Sequence, residues 1–167
     1  MKSLVKAAHI LAAGAALMLA ACPSATTHEQ PEPAAAAAKP TYPGPPKPWD
    51  TMELREKGQY MHDVVLPTMR RLFQEHDPAN YADFSCETCH GLDAKERHFE
   101  MPNTELFALF PQGSPQQQQL VIERKPTLSF MFNTVLPAMQ QLIGEPAYDP
   151  ATKTGFSCFE CHPHGVE

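Results

Sequence analysis

Two stretches of the chain carry apolar residues at the spacing of one helical face. The apolar positions step by four, four and three residues in both stretches: Met61, Val65, Met69 and Leu72 in the first, and Met131, Val135, Met139 and Leu142 in the second. This spacing aligns the apolar side chains along one stripe of an α-helix. Few segments alternate between apolar and polar residues with a period of two, so the pattern predicts an all-α fold.

The two stretches belong to a longer internal repeat. Residues 61–72 and 131–142 align at an offset of 70 and share Val-Leu-Pro-x-Met-x-x-Leu, and a Phe-Ser-Cys follows in each at an offset of 72. Pro67 and Pro137 fall inside the two helices, where each proline either kinks one helix or begins a second one. The repeat predicts two units, at about 53–100 and 120–165, each a helix, a turn and a Cys-x-x-Cys-His motif.

The segment between the two units is expected to add short helices. Residues 103–110 and 116–125 are the candidates, and Glu105 and Glu123 lie among the apolar positions of the two segments. Asn103 is a plausible N-cap for the first of them, since a short polar side chain can accept a hydrogen bond from the first turn.

The N-terminus has the pattern of an export signal. Lys2 and Lys6 precede a short apolar stretch, residues 10–19, and small residues follow. Residues 19–22, Leu-Ala-Ala-Cys, resemble the lipobox of bacterial lipoproteins, in which the cysteine is lipidated and becomes the first residue. The alternative is an ordinary secretory signal that leaves Cys22 as a free thiol. We expect residues 1–21 to be removed and a lipid on Cys22 to hold the protein on the periplasmic side of a bacterial membrane, inner or outer.

Residues 22–48 are predicted to be a disordered tether, and residues 49–167 the folded domain. The stretch after Cys22 contains eight prolines, a run of five alanines and almost no large apolar residue. Such a composition cannot bury enough apolar surface to fold, and its proline content favours an extended chain. The net charge of −6 argues against nucleic-acid binding, which needs an excess of lysine and arginine.

Two Cys-x-x-Cys-His motifs carry the predicted chemistry: Cys86, Cys89 and His90 in the first unit, and Cys158, Cys161 and His162 in the second. This motif is the attachment sequence of c-type haem. Cysteines three residues apart face one side of a helical turn and can bond both vinyl groups, and the next histidine is the proximal iron ligand. The motifs therefore predict two covalently bound haem c groups. A zinc site or two local disulfides are alternatives, but neither explains the histidine after each pair.

The distal ligand of each iron should come from upstream, because only five residues follow His162. Met69 and Met139 are the preferred candidates, at 17 and 19 residues before the first cysteine of their units. Met61 and Met131 are the alternates, two turns earlier on the same helical face. Further possibilities remain open for the first haem: His62, His76, His98 or an open coordination position.

The order of a methionine-bearing helix, a turn and Cys-x-x-Cys-His resembles the haem-binding units of the tetrahaem cytochrome subunit of photosynthetic reaction centres. The resemblance covers residues about 53–165 and implies that each distal methionine lies on the helix before its haem motif. It matches Met69, Cys86, Cys89 and His90 in one unit, and Met139, Cys158, Cys161 and His162 in the other. This chain has two units instead of four, and a proline two residues before each methionine. The resemblance therefore implies a plan for packing haem and no role in photosynthesis.

These features predict a membrane-anchored dihaem cytochrome that relays electrons and is not an enzyme. A histidine and methionine pair saturates the iron and raises its potential, which suits electron transfer. The alternative is a haem sensor or ligand-binding protein with an open iron site, whereas a dihaem peroxidase normally needs a much larger chain. Haem propionates would add to the negative charge, so we expect redox partners to dock through a basic patch.

Overall fold

The computed structural model describes residues 40–166. The predicted signal peptide, Cys22 and residues 23–39 of the tether lie outside the described residues. The helices are α1 Leu54–Tyr60, α2 Leu66–His76, α3 Cys86–His90, α4 Pro115–Glu123, α5 Lys125–Phe130 and α6 Leu136–Ile143, with π-helical segments at Met61–Val65 and Met131–Val135 and 3₁₀ turns at Trp49–Thr51 and Cys158–Glu160. Residues 40–166 contain only isolated β-bridges and no strand, so the predicted all-α class is confirmed.

The first long helix runs through residues 54–76 and consists of α1, the first π segment and α2. It begins with a capping box, in which the Glu56 carboxylate accepts a hydrogen bond of 2.7 Å from the Glu53 backbone N–H. At the π segment, the N–H of Leu66 bonds to the carbonyl of Met61, five residues back. One extra residue is thus inserted into the helix just before Pro67.

The second long helix, residues 125–143, repeats this arrangement with α5, the second π segment and α6. The N–H of Leu136 bonds to the carbonyl of Met131, and Gly144 ends the helix in the left-handed conformation, with φ of 72°. In both long helices a proline, Pro67 or Pro137, is the second residue after the π segment. Proline lacks an N–H, and its ring clashes with the carbonyl four residues back in a regular α-helix. The wider π turn accompanies each proline, and the helix continues beyond it.

The two long helices pack on each other reciprocally. The first π segment contacts α6, and the second π segment contacts α2. The core cluster draws on both helices and on the segment before α3: Val65, Met69, Leu72, Phe73, Phe84, Phe130, Ala138 and Leu142. The apolar stripes predicted from the sequence therefore do form the interface between the helices.

The prediction of a helix at 103–110 is wrong, whereas the one at 116–125 is confirmed as α4. The backbone of the first segment pairs with the C-terminal segment instead: the N–H of Leu109 bonds to the carbonyl of Pro163 at 2.9 Å, and the N–H of Gly165 bonds to the carbonyl of Leu109 at 2.9 Å. A backbone that makes these long-range bonds cannot also make the local bonds of a helix. Helix α4 is capped by Ser114, whose hydroxyl accepts from the N–H of Gln117 at 3.1 Å.

The last part of the predicted tether packs against the second long helix. The N–H of Tyr42 donates to the side-chain carbonyl of Gln141 at 2.9 Å, and the Tyr60 hydroxyl lies 2.9 Å from the carbonyl of Pro43. The ordered packing therefore extends upstream of the predicted start at residue 49. No local pattern predicts this packing, because the hydrogen-bond partner of Tyr42 lies 99 residues away along the chain. None of the described helices has the length and apolar character that crossing a membrane requires.

Candidate functional site

The first Cys-x-x-Cys-His motif is the short helix α3, Cys86–His90. Ser85 and Thr88 form a capping box at its start, in which the N–H of Ser85 donates to the Thr88 hydroxyl at 3.0 Å. Gly91 ends it with φ of 88°, and a Cβ there would lie 2.8 Å from a carboxylate oxygen of Glu105. The two cysteines are three residues apart in one helical turn, so their side chains leave the backbone on the same side of the helix.

The second motif also folds as a helical turn. Residues Cys158–Glu160 form a 3₁₀ turn, and the N–H of His162 bonds to the carbonyl of Cys158 at 2.9 Å. Ser157 caps this turn, because its hydroxyl accepts from the N–H of Phe159 at 3.2 Å. The two motifs thus share a preceding serine cap and one turn of helix between the first cysteine and the histidine.

His162 is held in a form that suits metal binding. Its Nδ1 lies 2.9 Å from the backbone carbonyl of Phe107. A carbonyl can only accept, so Nδ1 carries the hydrogen and donates it. In the neutral ring, Nε2 then has the free lone pair, which is the usual arrangement of a metal-binding histidine with a carbonyl partner behind it.

His90 has a buried ring nitrogen without a partner. Its Nδ1 is enclosed and makes no hydrogen bond, although a buried polar atom of this kind normally has one. Burial lowers the pKa of His90, the backbone of Phe99 partly opposes this shift, and the charge of Arg97 lowers the pKa a little further. The Phe99 ring lies edge-on at 5.5 Å, in a turn where His98 and Phe99 both have left-handed φ angles. The unpartnered nitrogen of His90 is thus Nδ1, the atom that in His162 is held by a backbone carbonyl, so the two histidine rings are not supported in the same way.

All four cysteines of the two motifs are free thiols. Burial raises the pKa of Cys89 to about 12 and that of Cys161 to about 11. Thiols with such pKa values stay protonated at neutral pH, so they lack the thiolate that redox-active cysteines use. The charges that Cys161 and Cys86 would carry raise the pKa of Cys89 further. Within residues 40–166, no three or more histidine, cysteine, aspartate or glutamate side chains form a group that could hold a metal ion.

The four candidate methionines lie on the core cluster. Met69 belongs to the cluster and is 3% exposed, and Met139, Met61 and Met131 are partly buried against it. Cys89 packs against the same cluster, so the structure brings these methionines and one motif cysteine to one apolar region. Cys86, in contrast, is exposed. The packing is compatible with either pair of methionines as ligands and does not separate them.

A buried asparagine joins the two motifs. The backbone N–H of Asn103 donates to the carbonyl of Cys161 at 3.0 Å, and its side-chain amide donates to the carbonyl of Cys89 at 3.1 Å. Arg97 supports the first motif from the same side, with a hydrogen bond of 2.6 Å to the carbonyl of His90. The two motifs therefore lie side by side, linked through residue 103.

These supporting groups were not predicted from the sequence. Asn103 was expected to cap a helix, and its Oδ1 does accept from the N–H of Glu105 at 2.9 Å, but no helix follows. The Phe107 carbonyl carries no sequence signal, because every residue has a carbonyl. Gly91, which directly follows the first motif, is the one local sign of such a contact, because its left-handed backbone brings the chain close to Glu105.

The donor set fits two c-type haems. Each motif offers two free thiols and a histidine, one with Nε2 available and one with a buried nitrogen unpaired. Two surface cavities, of about 340 and 180 Å³, are lined by other residues and contain no cysteine or histidine of the motifs. The fit thus rests on donor chemistry and not on a preformed cavity, as expected where binding of the group is coupled to folding.

Comparison with known proteins adds no relative. No protein-family model, curated protein or solved structure matches this chain. The resemblance to the tetrahaem cytochrome subunit therefore stays a prediction from the motifs.

Proposed function

We propose that this chain is a dihaem c-type cytochrome that relays electrons between redox proteins. The observation that carries the proposal is the shared geometry of the two motifs: each is one capped helical turn with two free thiols and a histidine. The haem-binding repeats are part of this proposal, as is the covalent attachment of one haem c to each motif. When bound, haem supplies the Fe(II)/Fe(III) couple that carries single electrons.

The residues of the chain have distinct roles in this proposal. Cys86, Cys89, Cys158 and Cys161 form the thioether bonds, and His90 and His162 bind the irons from the proximal side. The Phe107 carbonyl holds the His162 ring in orientation. Met69 and Met139 are the proposed distal ligands, with Met61 and Met131 as alternates. The core around Met69 excludes water, which favours an electron carrier over a site that is open to small ligands.

Mass spectrometry of the intact protein tests the proposal directly. The chain is produced with its signal peptide in a bacterium that attaches haem c to exported proteins. We expect a mass increase of two haems per chain, resistant to acid-acetone extraction. The double variant Cys86→Ser/Cys89→Ser should lose one haem, and Cys158→Ser/Cys161→Ser the other. An unmodified wild-type polypeptide would overturn the proposal.

The proposed cellular location rests on the sequence of residues 1–22, which lie outside the part of the chain that the structure describes. We propose that the signal at 1–21 is removed and that lipid on Cys22 anchors the domain on the periplasmic side of a membrane. Cys22→Ser should then move the protein from the membrane fraction to the soluble periplasmic fraction. A wild-type protein that is already soluble would contradict the anchor while leaving the haem proposal intact.

A further inference from the structure

Asn103 uses its polar groups in a way that links two distant parts of the chain. It is 1% exposed and makes three close hydrogen bonds: N–H to the Cys161 carbonyl, Nδ2 to the Cys89 carbonyl, and Oδ1 from the Glu105 N–H. Arg97 Nη2 lies 3.4 Å from Oδ1 and adds a longer contact. A buried polar residue with its groups satisfied in this way fixes the position of its partners.

The two carbonyls that Asn103 binds are equivalent. Cys89 and Cys161 are the second cysteines of their motifs, and each directly precedes the proposed proximal histidine. Asn103 therefore donates to the equivalent carbonyl oxygen in each of the two motifs. Because its backbone N–H and its side-chain amide are separated by only a few covalent bonds, the distance between the two motifs is set within a narrow range.

We infer that Asn103 is a positioning residue, which fixes the spacing and orientation of the two motifs and so sets the rate of electron exchange between their haems. The inference rests on the proposed function. The exchange moves one electron, so one iron is oxidised from Fe(II) to Fe(III) as the other is reduced from Fe(III) to Fe(II), without a proton or co-reactant. Asn103 donates its hydrogen bonds to the backbone carbonyls of Cys89 and Cys161, so its effect on the motifs passes through that backbone.

Two substitutions separate this role from general stability. Asn103→Asp keeps the backbone N–H and the acceptor for Glu105 but removes the amide that donates to Cys89. Asn103→Ala removes all side-chain bonds. The matched control is Ser114→Ala, because Ser114 is also a buried polar residue, 7% exposed, and its hydroxyl accepts one backbone hydrogen bond at the start of α4. It is not among the residues proposed to bind haem.

Intact mass first verifies two haems in each protein, and a wild type without them would overturn the proposed function itself. With two haems bound, the interaction between them is measured by the paired positive and negative Soret bands in circular dichroism and by the interhaem electron exchange rate. We expect both Asn103 variants to lose the paired bands and to slow the exchange about tenfold, the lower end of losses for outer partners of metal ligands. Ser114→Ala should keep both.

Unchanged paired bands and exchange rate in Asn103→Asp and Asn103→Ala would overturn the inference, as would an equal loss in Ser114→Ala. If neither Asn103 variant folds, the inference is tested by the hydrogen-exchange rate of the Asn103 backbone amide in the wild-type holoprotein. Slow hydrogen exchange supports the bond from Asn103 to the Cys161 carbonyl. Exchange as fast as that of an exposed amide would show that this bond is absent and would overturn the inference.

Discussion

The hydroxyl of Tyr60 lies 2.7 Å from the carbonyl of Leu142 and joins the first long helix to the end of the second. The same hydroxyl is 2.9 Å from the carbonyl of Pro43, in the segment that precedes the helices. It can donate its one hydrogen to either carbonyl. Three parts of the chain therefore meet at this phenol.

Tyr60→Phe should lower the free energy of unfolding by about 1 to 2 kcal/mol, because a partly buried carbonyl loses its donor. Chemical denaturation followed by circular dichroism measures the loss. Tyr148→Phe is the control, since Tyr148 is largely exposed, and should change the stability by less than about 0.5 kcal/mol. Equal effects of the two substitutions would show that the Tyr60 hydroxyl does not join the helices.

The stabilising effect of Tyr60 should disappear at alkaline pH. Burial raises the pKa of Tyr60 above its ordinary value, so the folded state holds the phenol proton more tightly than the unfolded state. Its contribution is present below about pH 10 and is lost as the pH rises through the folded-state pKa. The stability difference between wild type and Tyr60→Phe should therefore shrink above that pH. A difference that stays constant up to the end of the titration would argue against this prediction.

Met69→Leu and Met139→Leu should each remove one distal ligand while nearly preserving core volume, at a cost of about 1 kcal/mol. We expect each reduced variant to bind carbon monoxide at one haem, whereas the reduced wild type binds it slowly or not at all. Met52→Leu is the control, because Met52 is a buried methionine, 6% exposed, that lies outside both helical stripes. If Met61→Leu and Met131→Leu produce the effect instead, the alternate ligands are the correct ones. Rapid binding by the wild type at both haems would favour a sensor over an electron carrier.

Arg97→Ala should loosen the turn behind the first motif. The guanidinium donates to the carbonyls of His90 and Glu100, and a loss of about 2 kcal/mol is expected when charged hydrogen bonds of this kind are removed. Arg71→Ala is the matched control, because its ion pair with Glu75 is mostly exposed and should contribute about 0.5 kcal/mol or less. Chemical denaturation of the two variants provides the comparison. Similar losses would mean that the Arg97 bonds add nothing beyond a surface ion pair.

Association with a basic redox partner should slow as salt increases. The chain has a net charge of −6, and attraction between opposite charges raises association rates mainly at low ionic strength. Stopped-flow measurement with a basic cytochrome at several salt concentrations tests this. An association rate that is independent of salt would contradict docking through charge.

The sequence predicted those features that depend on neighbouring residues. The apolar stripe from Met61 to Leu72 and the single turn of Cys86–His90 both follow from local spacing, and both are present. The segment that begins at Asn103 was predicted as a helix from its N-cap residue and the apolar positions around Glu105, yet its backbone bonds to Cys161 and Pro163 instead. Those partners are more than 50 residues away, and no local pattern encodes them. The same holds at the proposed haem sites. The cysteines and histidines of the motifs were predicted, whereas the groups that hold them in place, Asn103, Arg97 and the Phe107 carbonyl, were not.

The two π segments limit which insertions and deletions the two long helices can tolerate. Each segment contacts the helix that carries the methionine of the other half. The wider turn absorbs one extra residue, so the apolar stripe stays on one face of the helix across it. Deleting that residue would leave a regular α-helix with Pro67 or Pro137 in its interior, where the proline ring clashes with the carbonyl four residues back. Each half of the chain therefore keeps its proline and its π segment as a pair, and losing one would require replacing the other.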